Sequence, residues 1–409
     1  MMRILMMAPH PFYQERGTPI AVGLLLKSLS GAGHEVDVIT FPEGEDRNYP
    51  GVTYHRVKPF TKVSGVRPGF SLKKLYLDLF VLIKFLSLMF KKRYNVVHAV
   101  EESVYFAMLV CPFFRTPYIY DMDSSMVTQL IDKAPILKKI EFILRFIESL
   151  PARFAKVVVP CCDALVKDVE LFRLAKDKAT IALKDISLLD KSQETPSSGI
   201  NIQQHIADLS HNTPIQENGL DHKVHTQKAL KYKVLMYIGN LESYQGVDLM
   251  LEGFAQACSE LSDIALVVVG GEDQHIEAYQ SKAKELGVSA SIFFLGKQPV
   301  ADLYALMKQA DVLLSPRTQG VNTPMKVYSY LDSGVPVLAT RLPTHTQVMS
   351  DDNTMLVEPD ALSFAQGIKE LINDHDLTQM LTKNAEDFVR EFHSWTAFDQ
   401  TVKRIYALC

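Results

Sequence analysis

Apolar and polar positions along the first half of the chain fall into two alternating rhythms. Short β-rich runs, RILMMA, EVDVITF, NVVHAV, PYIYDM and KVVVP, are separated by runs with helical period, such as AVGLLLKSLSGAG with its closing glycine. This alternation predicts parallel strands joined by crossover helices, a doubly wound sheet. A second series begins near residue 231: VLMYIG, VDLMLEGFAQAC, ALVVVGG, HIEAYQSKAKELG, SIFFLG, VADLYALMKQA, VLLS, TPMKVYSYLDSG and VPVLAT. Gly239, Gly270, Gly271 and Gly296 stand where its strands end, as expected where backbone turns tightly toward a ligand beyond the carboxyl ends of parallel strands. The expected fold class is therefore α/β, with two facing Rossmann-like sheets and a ligand cleft between them.

Between the two series, residues 190–228 change to Ser, Gln, Asn, His, Pro and Thr with few large apolar residues. Such a stretch buries too little surface to fold independently, so a mobile polar insert is expected. The domains predicted are 1–188, an insert at 189–230, and 231–393, with a last helix at 394–409 returning to the first domain. The irregular spacing of His205, His211, His222 and His225 in the insert reads as solvated filler rather than a metal site.

Composition adds three constraints. The chain has 409 residues, 47% of them apolar, enough for two large cores. Its net charge of -4 hides an asymmetry, since residues 1–185 carry +7 and the remainder -11. Five cysteines without CxxC or Cys/His spacing argue against a disulfide scaffold or zinc site and for reduced thiols, hence a cytoplasmic protein. MMRILMMAPHPF has too short an apolar run for a signal peptide and reads as a first strand. Leu75 to Phe90 is too short, and too interrupted by Asp78 and Lys84, to span a membrane. Lys58, Lys62, Arg67, Lys73 and Lys74 precede it, Lys91, Lys92 and Arg93 follow it, and Lys138 and Lys139 lie beyond. Two readings stand: a peripheral face for the anionic inner surface of a membrane, or a core helix with solvated ends. No nucleic-acid partner is expected.

The chemistry concentrates in LLSPRTQGVNTPMKVYSYLDSGVPVLAT, residues 313–340. A strand leads through a polar loop into a helix opened by Asn322, Thr323 and Pro324, a start signal whose free amides and dipole make an anion site. Lys326 in the first helical turn opposes the macrodipole unless it shares an anion, and Arg317 offers a fork suited to phosphate. The competing reading is an ordinary solvated helix start.

These segments resemble glycosyltransferase family four. The resemblance runs through YIGNLESYQGVDLMLEGF, VVVGGEDQ, IFFLGK, ADVLLSP, SGVPVLAT, MLVEPDALSFAQGIKELINDHDL and EFHSWTAFDQTVKRIYAL, and in the first half through MRILMMAPHPFYQERGTPIAVGLLLKSLSGAGHEVDVIT, NVVHAVEES and TPYIYDMDSS. It implies the two-domain GT-B architecture and retaining transfer of a sugar from a UDP- or GDP-sugar to a glycan, polysaccharide or lipid-linked acceptor. No cofactor is expected, and no metal, since the donor loop has no DxD pair.

The chain departs from the family at its charged positions. The Arg and Lys that hold the donor diphosphate in the family fall on Asn240 and Gln245, its two glutamates on Val321 and Ser329, and an acceptor-side histidine on Asp123. Arg317 and Lys326 are the replacement cations nominated here, with Asp123 as third catalytic candidate. Gly17, Thr18, Gly239, Asn240, Gln245, Gly271, Gly296, Asn322, Thr323, Pro324 and Ser329 are the donor-binding candidates. Gly17 and Thr18 belong to the turn Arg16-Gly17-Thr18-Pro19 after the first strand. His98, Glu101 and Asp121 are the acceptor-side candidates, an acid there positioning the incoming hydroxyl. Two alternatives stay open: a catalytically silent GT-B protein that binds nucleotide or glycan within an assembly, and another GT-B enzyme such as an epimerase or phosphorylase.

Overall fold

A computed structural model describes residues 1–14, 17–61, 63–66, 71–172, 179–192, 195–211, 231–320 and 322–409. Arg16, Lys62, Arg67, Val321, His222 and His225 lie outside the described residues, as does the rest of 212–230.

In chain order the first unit holds β1 (Arg3–Ala8), α1 (Gly17–Gly31), β2 (Glu35–Thr40), β3 (Val52–Arg56), α2 (Leu72–Lys91), β4 (Val96–Val100), α3 (Ser103–Phe114), β5 (Tyr118–Met122), α4 (Met126–Lys133), α5 (Glu141–Phe154), β6 (Val157–Pro160), α6 (Asp163–Phe172) and β7 (Ala179–Thr180). The second holds α7 (Ile202–His211), β8 (Lys233–Ile238), α8 (Val247–Cys258), β9 (Ile264–Val269), α9 (Asp273–Glu285), β10 (Ile292–Gly296), α10 (Leu303–Met307), β11 (Val312–Ser315), α11 (Met325–Asp332), β12 (Val337–Thr340), α12 (Pro343–Thr346), β13 (Met355–Val357), α13 (Ala361–Asn373) and α14 (His375–Phe392). The chain then returns to the first unit as α15 (Trp395–Tyr406).

Unit 1 comprises Met1–Asp185 with Trp395–Cys409, and unit 2 comprises Ile186–Ser394. The sheet of unit 1 runs β3-β2-β1-β4-β5-β6-β7 and that of unit 2 runs β10-β9-β8-β11-β12-β13, all pairs parallel. Helices on both faces bury the strands, which is why IALVVV is apolar throughout and every one of its residues is buried. Strand order reverses between β1 and β4 and between β8 and β11. A crevice opens at the carboxyl ends of such a pair, where the two flanking connections leave to opposite faces.

α15 belongs to unit 1 through both packing and polar contacts. Phe398, Val402, Ile405 and Tyr406 are buried, Ser28 Oγ of α1 donates to Asp399 at 2.7 Å, and Lys27 lies 4.6 Å from the centre of the Trp395 ring.

The expectation that 189–230 is a loose insert is corrected for its described part. Ile202 and Ile206 of α7 are 1% and 0% exposed in the core of unit 2. Asp302 holds the chain before α7 through the Ser197 amide and hydroxyl at 2.8 and 2.7 Å, and Gln309 accepts from the Ile202 amide at 2.8 Å. Two isoleucines four residues apart make a narrow apolar stripe, enough to seat one helix despite a polar composition. Among the described residues no helix is long and apolar enough to cross a membrane.

Candidate functional site

In unit 2 the switch point brings together the ends of β8 and β11. β8 leads into Gly239, where a Cβ would lie 2.8 Å from the Tyr237 hydroxyl and 3.2 Å from Lys326 Nζ, so a side chain here would crowd both. The Tyr237 hydroxyl donates to the Asn240 carbonyl at 2.7 Å, and the Asn240 side chain donates to the Tyr244 hydroxyl at 3.3 Å. The turn through Gln245 ends on Gly246 in the left-handed region (φ 73°). A Cβ there would run into the Pro316 carbonyl, which ties this turn to the loop after β11.

That loop is braced from below. Thr340 Oγ1 donates to the Arg317 carbonyl at 2.5 Å, and Ser315 Oγ meets His345 Nε2 at 2.8 Å while His345 Nδ1 faces the Thr340 carbonyl at 2.8 Å. Burial pulls the His345 pKa to about 4, so the ring is neutral at ordinary pH. Arg317 Nε donates to the Gln319 carbonyl at 2.8 Å, and its guanidinium carbon lies 5.1 Å from the centre of the Tyr244 ring.

Lys326 carries the strongest signal. Its Nζ is closed off from water, makes no hydrogen bond, and rests 4.1 Å from the Tyr237 ring centre and 5.8 Å from that of Tyr330. Both tyrosines are fully buried. Burial, and then the nearby Arg317 charge, pulls the lysine pKa from 10.5 to about 7. Among the described residues no carboxylate pairs with either cation. A buried ammonium costs several kcal/mol unless it is compensated, and two cations converging without an acid form a place prepared for an anion.

The remaining unit 2 candidates divide. Thr323 Oγ1 and Gln245 Oε1 are also buried polar atoms without partners. The Asn322 carbonyl accepts from Thr344 Oγ1 at 2.7 Å. The helix start is corrected: Pro324, not Asn322 or Thr323, is the N-cap of α11, so the first amides of the helix have no side-chain cap. Gly271 and Gly296 shape the ends of β9 and β10 with φ of 93° and 63°. Ser329 Oγ accepts from the Leu188 amide at 3.3 Å, so its hydroxyl fastens the segment entering unit 2.

In unit 1 the other candidates cluster at the carboxyl ends of β4 and β5. His98 is 1% exposed, with Nε2 2.9 Å from Asp121 Oδ2 and Nδ1 2.9 Å from the Tyr406 hydroxyl. Tyr406 thus fixes the ring from α15, 308 residues away in sequence. Glu101 adopts φ 50° and accepts from Ser124 Oγ at 3.2 Å, while Lys74 Nζ lies 3.5 Å from Glu101 and 2.7 Å from Glu102. The Asp123 carboxyl accepts from the Thr18 hydroxyl, which joins the first turn of α1 to the end of β5. Burial, then the Asp121 and Glu101 charges, holds Asp123 well above the usual carboxylate range, and burial with Asp121 lifts Asp185 to about 7. Gly17 is exposed at the head of α1.

Tyr237, Tyr244, Tyr330, Thr340 and Tyr406 also shape these sites; they lie inside the motif segments but are not among the sequence candidates, and His345 lies outside those segments. Tyr237 and Tyr330 meet only because β8 and α11 do, a long-range pairing that no local spacing marks.

Comparison with known proteins accords with this geometry. Residues 221–388 match the family model described as "Glycosyl transferases group 1". A D-inositol 3-phosphate glycosyltransferase of Corynebacterium aurimucosum is 26% identical over 185 residues, 44% of this chain and 44% of that protein. The chain thus spans less than half the length of that relative. An uncharacterised glycosyltransferase of Methanocaldococcus jannaschii is 22% identical over 405 residues, 94% of this chain and 92% of its own. The fold is similar to that of HepE from Anabaena in complex with UDP, with a TM-score of 0.73, 16% identity and complete coverage of both chains. Residues 221–388 thus resemble the glycosyl transferases group 1 family, and the chain has the GT-B fold, with two Rossmann-like units.

Proposed function

We propose that this chain is a retaining glycosyltransferase that needs no metal ion, takes its sugar from a UDP- or GDP-sugar bound by unit 2, and passes it to a hydroxyl of a glycan, polysaccharide or lipid-linked acceptor held by unit 1. The observation that carries this reading is Lys326: an unpartnered ammonium shut off from water at the head of an uncapped helix, beside Arg317. In the transfer, the bond between the anomeric carbon and the diphosphate oxygen breaks and its electrons stay on the diphosphate. Lys326, Arg317 and the first amides of α11 stabilise that charge where it develops. The acceptor oxygen bonds to the anomeric carbon from the leaving-group face, and its proton passes to the departing diphosphate. Asp123, beside the Thr18 hydroxyl at the end of β5, positions the incoming acceptor hydroxyl. Asn240 and Gln245 contribute neutral contacts where the family carries cations.

Support for UDP also comes from the HepE structures with UDP and UDP-glucose. Titration calorimetry with UDP, GDP and ADP against uridine, guanosine and adenosine tests the site. A diphosphate bound far more tightly than its nucleoside is the expected result; equal affinities would overturn it. Hydrolysis of UDP- and GDP-sugars then separates an enzyme from a silent binder, which would hold the diphosphate and turn over none of them.

A further inference from the structure

α2, α3 and α5 lie side by side on one face of the unit 1 sheet, with their inner sides in its core. Their outer sides are also apolar. On α2, Leu72, Leu75, Leu79, Ile83 and Phe90 recur at steps of three, four, four and seven, which a helix gathers into one stripe. All five are exposed, Leu72 and Phe90 to 79% and 78%. On α3, Leu109 and Phe113 continue the face, and on α5 Phe142 and Phe146 extend it. The Phe90 and Phe114 rings, 5.1 Å apart, join the ends of α2 and α3. Between α3 and α5 the surface dips into a cavity of about 700 Å³ bordered by Leu109, Pro112 and Phe154. A soluble surface rarely carries so continuous an apolar patch without a partner.

We propose that this face docks unit 1 onto an anionic lipid bilayer. The charge on α2, just after α3 and just before α5 selects this occupant. Lys73, Lys91, Arg115, Lys138 and Lys139 are exposed around the apolar residues. The described acids of α2, α3 and α5 do not balance them, since Asp78 and Glu148 are buried and Glu141 pairs with Arg145. A second copy packed against this face about a two-fold axis would set lysine against lysine. A bilayer with anionic headgroups takes the lysines at its surface and the phenylalanines and leucines below it, and its fluid chains follow the relief of three helices. α2 is thus a core helix on one side and carries an exposed apolar stripe on the other. Lys74, counted among the cations of this region, instead turns inward to Glu101 and Glu102.

Sedimentation of the full chain with vesicles of phosphatidylcholine, with and without phosphatidylglycerol, tests the proposal at low and high salt. Wild type should sediment with the anionic vesicles and lose affinity as salt rises. Lys138→Gln with Lys139→Gln should weaken binding about thirtyfold, and Phe142→Ser with Phe146→Ser by about tenfold or more. Both pairs are exposed, so circular dichroism and UDP affinity should match wild type. Absence of wild-type binding at low salt overturns the proposal. So does sedimentation of both variants like wild type, or a wild-type dimer that the phenylalanine changes dissociate. A chain that binds vesicles but not UDP would leave this surface standing and remove only the donor site.

Discussion

Replacing Lys326 with methionine keeps most of the apolar stem, one atom shorter, and deletes the ammonium. In the free protein the ammonium has no partner, and its pKa is pulled from 10.5 to about 7. At 1.36 kcal/mol per pKa unit this is a penalty on the order of 5 kcal/mol against charging the group. The penalty is fully present below about pH 7, where folded and unfolded chains both carry the proton. Between about 7 and 10.5 the unfolded chain holds a proton that the folded chain has released, so the penalty fades and stability climbs with pH. After allowance for relaxation and water entry, Lys326→Met should stabilise the free protein by about 1–3 kcal/mol near pH 6, and by progressively less toward pH 10. Its effect on UDP runs the other way. Loss of one charge-assisted hydrogen bond, about 1.5–3 kcal/mol, should weaken UDP binding by about 10–150-fold. Wild type should also take up a proton on binding UDP above pH 7, its affinity falling by up to about tenfold per pH unit, and the methionine variant should lose that dependence. Urea melts near pH 6 and 10 measure the first effect, and calorimetry in buffers of different ionisation enthalpy measures the second. A methionine variant less stable than wild type with unaltered UDP affinity would refute the account.

Ile206→Ala should cost about 2–4 kcal/mol in urea denaturation of unit 2, whereas a loose insert would show no change. Tyr406→Phe leaves His98 Nδ1 buried without its partner and should cost about 1–3 kcal/mol by the same measurement. Asp78 carries a buried oxygen without a partner, and burial, then Glu102, pushes its pKa from 3.8 up to about 8. Its cost is absent below about pH 4 and grows to about pH 8, as the folded chain retains a proton that the unfolded chain has lost. Asp78→Asn should accordingly be neutral in thermal melts near pH 4 and stabilising by about 1–3 kcal/mol at pH 8.

The alternation of strand and helix made the doubly wound sheets legible, because parallel strands in these cores are apolar runs broken by glycine at their carboxyl ends. β3 and β7 carried no such run: VTYHR is half-polar at a sheet edge, and β7 is two residues long. α7 was hidden because, among its described side chains, burial rests on Ile202 and Ile206 with polar neighbours around them. At the site, Arg317 and Lys326 stood out by charge, since Lys326 lies at a helix start and Arg317 in the loop that leads to it. Their isolation from every described carboxylate did not, because the absence of a counter-ion depends on which elements meet. Asp78, similarly, looked like a break in an apolar run, whereas its raised pKa follows from α2 lying beside Glu102 at the end of β4.

The return of α15 to unit 1 sets an order on the birth of the molecule. The strands of unit 1 leave the ribosome first, but the helix that seats Phe398, Val402 and Ile405 and closes the His98 ring with Tyr406 follows only after the 209 residues of unit 2. At about 5–20 residues per second, unit 1 waits roughly 10–40 s with an apolar groove open and a buried histidine short of one bond. Unit 2 is contiguous and can complete itself meanwhile. A stall or truncation late in translation would therefore release a finished second unit attached to an unfinished first one, and that first unit is the part chaperones and proteases would find.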